Sequence, residues 1–252
     1  MEKNFRHEYK FLISRASAEL LKTRLKGFMR HDPHTGPTGR YTIRSLYFDD
    51  LAADAFYDKV SGVDDRTKYR IRCYNYSNSI FKLEKKEKKG HLTRKTAQKL
   101  TLSQVQAIQE NPRKYHVIPS VAEGSTTSGL DGKQKIPPLP SVGRNDSLLE
   151  ELRLYCSSKG GRPMVLVDYD RTPFICADGN TRITIDENLR TLPYNGDLFA
   201  SSAAMIPVLE PEQVILEVKF DDFLPGYLSD CLTDIPKAAM AISKFAMCMN
   251  LL

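Results

Sequence analysis

Alternation of apolar and polar positions along the chain marks a series of strands with helices between them. Residues 4–13 read as a strand. They are followed by Ser14, an N-cap for a helix in which Ala18, Leu21, Leu25 and Phe28 recur at helical spacing. Residues 31–39 form a Pro/Gly loop. Strands are expected at 40–49, 66–76 and 79–87, with a short helical patch around 51–59. Thr101 or Ser103 caps a helix running through Gln109, and a second helix lies near 148–156. Between these helices, residues 119–144 are rich in Gly, Ser and Pro and read as a flexible surface insertion. Strands at 163–174, 181–186 and 213–220 precede a turn at Pro225 and Gly226, and a last helix is expected over 235–249. No internal repeat of 20 to 50 residues is present. Antiparallel strands with inserted helices predict an α+β fold, built as one domain over residues 1–252 on a large sheet or barrel.

Splitting each strand into its two faces gives one charged set and one apolar set. The charged sets are Arg6, Glu8 and Lys10; Arg70 and Arg72 with Tyr74; Lys82, Glu84 and Lys86; Arg182, Thr184 and Asp186; and Glu217 with Lys219. A merely solvated face mixes in neutral polar residues, whereas these positions are almost all Arg, Lys and Glu. If the sheet closes with its apolar face outward under the helices, its interior is a cationic tunnel, self-repelling when empty and suited to a polyanion.

Composition sharpens this picture. The 252 residues carry a net charge of +6. The segment from Arg66 to Lys99 holds twelve basic residues against two acidic ones, so the rest of the chain is mildly acidic. The five cysteines (Cys73, Cys156, Cys176, Cys231 and Cys248) have no paired or zinc-ligand spacing and read as reduced, structural residues. No stretch reaches 18 apolar residues and no leader run follows the start, so a soluble, cytoplasmic protein without a membrane span is expected. No nucleic-acid-reading module appears, and nucleic acid is not the expected partner. A GxxxxGK[ST] loop is also missing, so side chains must hold any phosphate: Arg by its bidentate fork, Lys as a point charge.

Eight short motifs then occur in an order that resembles VTC domains: Arg6 to Lys10, Ser45 to Asp49, Lys68 to Arg72, Leu83 to Lys86, Tyr169 to Phe174, Arg182 to Asp186, Leu216 to Lys219 and Ser243 to Phe245. The chain resembles bacterial VTC-domain proteins, related to the polyphosphate polymerase domain of the eukaryotic vacuolar transporter chaperone and to the triphosphate tunnel metalloenzymes. That resemblance implies an antiparallel β-barrel (triphosphate tunnel fold) with helices outside and a C-terminal helix near the tunnel end. It implies metal-dependent phosphoryl transfer, with polyphosphate made from ATP and ADP released. The alternatives are a triphosphatase using the same tunnel and a noncatalytic polyphosphate-binding module. Arg70, Arg72, Lys86, Arg171 and Arg182 are the implied catalytic set. Lys10, Lys95 and Lys244 are implied to bind substrate, joined by Lys82 and Lys219 from the charged faces. Gln98 stands where the family has a second lysine beyond Lys95. Lys237, about two helical turns before Lys244, stands in for a family lysine near Ala241. Glu217 matches the metal-binding glutamate, for Mn²⁺ or Mg²⁺. Glu8 and Glu84 lie on the lining face, where ion pairing with Lys10 and Lys86 is the simpler role. Substrates would be ATP or inorganic triphosphate and a polyphosphate chain, and any export of polymer would need a separate membrane partner.

Overall fold

The computed structural model describes residues 7–90, 92–113, 147–200 and 204–252. The insertion expected at 119–144, Arg6 and the first residues of the opening strand lie outside them. In chain order the elements are β1 (His7–Ser14), α1 (Arg15–Leu25), β2 (Arg30–His31), β3 (Tyr41–Asp49), α2 (Asp54–Val60), β4 (Arg66–Tyr74), β5 (Phe81–Lys89), β6 (Leu92–Leu100), α3 (Leu102–Glu110), α4 (Ser147–Ser158), β7 (Arg162–Cys176), β8 (Thr181–Pro193), β9 (Ile206–Pro207), β10 (Gln213–Phe220), α5 (Gly226–Cys231) and α6 (Lys244–Met249). Local chemistry sets several boundaries. Ser14 accepts a hydrogen bond from the Ser17 amide and caps α1. Thr101 and Gln104 form a reciprocal capping box on α3.

The strands form one ten-stranded antiparallel sheet, ordered β1-β10-β8-β7-β3-β4-β5-β6, with β2 and β9 pairing on β7 and β8. The closed barrel expected from the sequence is not found, because the hydrogen-bonded path stays open between β1 and β6. Both edges are protected in other ways. On β1 the C-terminal segment covers part of the edge, with the Met240 amide donating to the Lys10 carbonyl at 2.8 Å. On β6 the exposed Thr93, Arg94 and Lys95 guard the edge with charge. The sheet still curls strongly: Lys86 on β5 and Glu8 on β1 are electrostatic neighbours, although five strands separate them along the path.

Three apolar clusters follow from the strand alternation. Leu46, Ile71, Phe81 and Leu83 pack under α3 and α4 through Ile108, Leu149 and Leu152. Ile183, Ile185, Leu216 and Val218 pack under α1 and α5 through Leu21, Leu25 and Leu228. Each such fully buried side chain contributes about 1.5–3 kcal/mol by leaving water. The third cluster lies on the opposite, concave face, where Tyr47, Val165, Val167, Tyr169 and Ile215 meet Ala55 of α2 and Phe245 and Cys248 of α6. Two helices therefore occupy the concave face, and the helices are not all outside as expected. The expected helix over 235–249 shrinks to the six residues of α6, capped by Ser243. Among the described residues no helix is long and apolar enough to cross a membrane. All five cysteines are free, and four of them are buried.

Candidate functional site: a cationic concave face

Cross-strand register brings the charged residues of seven strands onto the concave face. Lys10 faces Glu217, which faces Thr184. Arg171 faces Asp186 on one side and Tyr41 on the other. Arg70 lies between Tyr47 and Glu84, and Arg72 lies between Ser45 and Lys82. Lys86 faces both Lys68 and Lys95.

Three carboxylate nodes hold these cations. In the first, Lys10 Nζ lies 2.7 Å from Glu8 and 3.6 Å from Glu217, while Lys219 Nζ lies 2.8 Å from Glu217 and 3.7 Å from Glu8. Burial pushes the Glu217 carboxyl up, but Lys219, Arg171, Lys10 and Lys244 outweigh it and hold the group well below the usual range. Burial and Glu217 push the Glu8 carboxyl up, but the charges of Lys86, Lys10 and Lys219 outweigh them and hold it below the usual range. In the second node Arg171 binds Asp186 through two 2.7 Å hydrogen bonds, and Lys244 reaches the same carboxylate at 2.6 Å from the first turn of α6. The Tyr169 ring lies against both cations, 5.3 Å from Arg171 and 4.8 Å from Lys244. In the third, Glu84 receives Arg70 at 2.6 Å, Lys95 at 2.5 Å and Arg72 at 3.8 Å. Desolvation opposes ionisation of Glu84, yet Arg70, Arg72 and Lys95 bring its pKa down to about 2. Arg70 also donates to Tyr47 Oη at 2.8 Å.

Cations outnumber carboxylates on this face, and some polar groups are left without a protein partner. Among the described residues Arg72 Nε, Ser45 Oγ and Thr184 Oγ1 are buried without a hydrogen bond. Lys68, Lys82 and Lys86 have no carboxylate within ion-pair distance among the described residues, and burial, its largest cause, pulls Lys86 below the ordinary lysine range. Unsatisfied buried donors on a cationic surface are what an anionic ligand would complete.

The sequence-expected residues fall into three groups. Lys10, Arg70, Arg72, Lys82, Lys86, Lys95, Arg171, Arg182, Glu217, Lys219 and Lys244 share the concave face. Arg182 sits at its margin, donating to Asp32 at 2.8 Å and to Tyr41 at 3.3 Å. Lys237 lies on the exposed loop before α6 and not on the same helix as Lys244. That corrects the two-turn spacing, because residues 235–243 are not helical and the Met240 amide is committed to the Lys10 carbonyl. Gln98 points to the opposite face, where its side-chain oxygen accepts from the Leu149 amide near the start of α4. The concave neighbours of Lys95 along β6 are therefore Thr93 and Ala97. Three residues beside this face are absent from the sequence-derived set. Lys68 lay one alternation step before Arg70, so extending the face count by two residues would have found it. Asp32 and Lys59 come from a loop and a short helix and left no signal in the strand pattern. The Asp32 loop is fixed in part by Gly39, whose φ of +67° and close approach to the His31 ring exclude a side chain.

The donor set bears on the metal expectation. Among the described residues no group of three or more His, Cys, Asp or Glu could enclose an ion. Mg²⁺, however, is commonly bound by one or two carboxylates, with substrate phosphates and water completing the shell. Glu8 and Glu217, which share Lys10 and Lys219 and of which Glu217 disfavours the charge on Glu8, fit that pattern.

No curated protein sequence matches the chain. A solved structure of a putative adenylyl cyclase from Hippeastrum, reported to show a dominant triphosphatase activity, is similar with a TM-score of 0.55 at 16% identity, over 98% of this chain and 96% of that one. A putative adenylate cyclase from Bacillus halodurans is similar at 15% identity over 93% of this chain and 89% of that one, with a TM-score of 0.45. The first of these likenesses is one of fold. A model of the VTC domain matches residues 5–252, and on that match the chain belongs to the VTC domain family.

Proposed function

We propose that the concave face binds a linear triphosphate and carries out metal-dependent phosphoryl transfer, moving the γ-phosphate of ATP to the end of a polyphosphate chain. The observation that carries this reading is the excess of cations over carboxylates on one buried face, together with the unpartnered Arg72 Nε. In the transfer, a terminal oxygen of the chain forms a bond to the γ-phosphorus, the bond from that phosphorus to the β,γ-bridging oxygen breaks, and ADP leaves with the electron pair. Such reactions depend on positioning and charge stabilisation more than on covalent chemistry by the protein.

Arg70 and Arg72 on β4 and Arg171 on β7 approach from adjoining walls, each fixed by a carboxylate or phenol that limits its rotamers. They are suited to the equatorial oxygens of the phosphate in transfer. Lys86 and Lys95 would neutralise charge along the β5–β6 side, and Lys10, Lys219 and Lys244 along the β1–β10 side. Arg182, held by Asp32, would orient the far phosphate. Glu217 with Glu8 would hold Mn²⁺ or Mg²⁺, which when bound supplies Lewis-acid neutralisation of phosphate charge.

A hydrolytic reading uses the same residues with water as acceptor. Its support is α6, which occupies part of the concave face: Phe245 lies tilted against the Tyr47 ring at 5.0 Å and Lys244 reaches Asp186. Incubation of the chain with ATP and Mn²⁺ or Mg²⁺ separates the two. Polymer with stoichiometric ADP is the expected outcome. Orthophosphate without polymer would establish the triphosphatase, and tight polyphosphate binding without turnover would reduce the protein to a binding module.

A further inference from the structure

Lys68 stands two residues along β4 from Arg70 and on the same side of the strand. Arg70 and Arg72 share Glu84, whereas among the described residues no carboxylate comes within ion-pair distance of Lys68. Its charged neighbours are cations from three elements: Lys86 directly across the β4–β5 ladder, Lys59 of α2 and Arg66 on its own strand, with Asp49 of β3 acting against them. The Phe245 ring of α6 covers one side of the amine, 4.6 Å from Nζ. The side chain is half-buried and so is not closed off from solvent.

An ammonium in that setting has lost water without gaining a counter-ion. Burial is the largest cause, and with Arg66, Lys59 and Lys86 acting in the same direction against Asp49 it brings the Lys68 pKa down to about 7. Near neutral pH much of the side chain is therefore free amine, and desolvation beside other cations is how a lysine becomes a nucleophile. The same cations can hold an anion. A small molecule that joins a phosphate to an electrophilic carbon suits both features, and an acyl phosphate is such a molecule.

We propose that Lys68 is an acylation site, at which Lys86, Lys59 and Arg66 seat the phosphate of a small acyl phosphate and the Lys68 amine accepts its acyl group. Nζ forms a bond to the acyl carbon, and the bond from that carbon to the phosphate-bearing oxygen breaks. Orthophosphate leaves with the electron pair, and Nζ gives up a proton to solvent. The product is a neutral amide, which removes one positive charge from the concave face. The reaction needs neither ATP nor a metal ion, so it is separable from the phosphoryl transfer proposed above.

The test is incubation of the full wild-type chain with acetyl phosphate, with site occupancies read by peptide mass spectrometry and the exposed Lys237 as internal reference. An amine held near 7 has roughly a thousandfold more free base at pH 7 than an ordinary lysine near 10.4. Its lower basicity gives back part of that gain, so Lys68 should be acetylated roughly tenfold or more faster than Lys237 at pH 7. The Lys68 rate should level off above about pH 8, and its lead should vanish in urea. p-Nitrophenyl acetate, which carries no phosphate, should show a smaller preference for Lys68, and added orthophosphate should slow acetyl phosphate at Lys68 and not at Lys237. Lys59→Met, checked for folding by thermal melting, should slow Lys68 about threefold or more and leave Lys237 unchanged. A Lys68 no faster than Lys237, or a rate still climbing through pH 9, would overturn the nucleophile. Equal preference for Lys68 with both reagents would remove the phosphate seat, and either result sinks the acylation site.

Discussion

Two Arg–Asp pairs join neighbouring strands of this sheet with nearly the same geometry and opposite surroundings. On the helix side, Arg44 of β3 grips Asp168 of β7 at 2.8 and 2.7 Å. Its remaining donors go to the carbonyls of Leu198 at 3.0 Å and Ala200 at 2.6 Å, and the Tyr76 ring covers it at 4.6 Å. Both partners are almost fully excluded from solvent, at 1% and 0% exposure. On the concave side Arg171 of β7 grips Asp186 of β8 at 2.7 Å twice, but Lys244 joins the same carboxylate, and among the described residues no loop carbonyl caps the arginine. The first pair is closed by protein and ties down the segment after β8. The second has surplus positive charge and an open side. Burial and bidentate geometry are common to both, so neither marks function; what differs is whether the protein has already used the arginine's donors.

The largest effect is expected for Arg44→Met. It strands Asp168 without its counter-ion, and removing one member of a buried pair costs about 3–5 kcal/mol. The melting temperature should fall by roughly 10 °C or more, while the folded fraction keeps wild-type affinity for tripolyphosphate. An unchanged melting curve would show that the pair does not hold the loop. Arg171→Met should act in the reverse sense. Asp186 keeps Lys244, so the fold survives, whereas phosphoryl transfer should drop by about 10²–10³-fold, as for removal of one transition-state donor. Measured kcat and melting curves for the two variants should therefore diverge in opposite directions.

The strand pattern made the concave face legible because alternation is strictly two-residue and the face is charged on every strand. β10 appears at the expected bounds, and the partition of β5 into Lys82, Glu84 and Lys86 against Phe81 and Leu83 holds in three dimensions. What alternation could not supply is anything decided between distant segments. The Arg44–Asp168 pair links residues 124 positions apart on the apolar side of the sheet, where a charge looks like an exception to the pattern. Closure fails for the same reason: whether β1 meets β6 or the C-terminal segment is a contest between two edge partners, and local sequence does not rank them. The last helix was overestimated because the apolar spacing of 235–249 continues through a segment whose backbone is engaged on β1. The metal reading stays at the level of a carboxylate pair, since Glu8 comes from the first strand and Glu217 from the last.

On the concave side the Glu84 node is sensitive to acid. Glu84, held at about 2 against an ordinary 4.5, binds fewer protons folded than unfolded. Its contribution to stability is complete above about pH 4.5 and is lost as pH falls toward 2. Wild type should lose about 1–3 kcal/mol more than Glu84→Gln over that window. Urea midpoints measured from pH 5 to 2.5 read this difference, and parallel profiles would remove Glu84 as the shared anchor of Arg70, Arg72 and Lys95.

The smallest effect is expected at Lys237. Its side chain stands in solvent on the loop between α5 and α6, with no carboxylate or ring against it among the described residues. An exposed charge acts on a polyanion only through a screened field, worth a few tenths to one kcal/mol. Lys237→Ala should therefore weaken long-chain polyphosphate binding by less than about threefold and leave tripolyphosphate binding unchanged, and the difference should vanish in high salt. A loss of tenfold or more, persisting in salt, would require the loop to fold over the concave face when ligand is bound. The cation count of the site would then depend on a loop whose lysine in this structure stands in solvent.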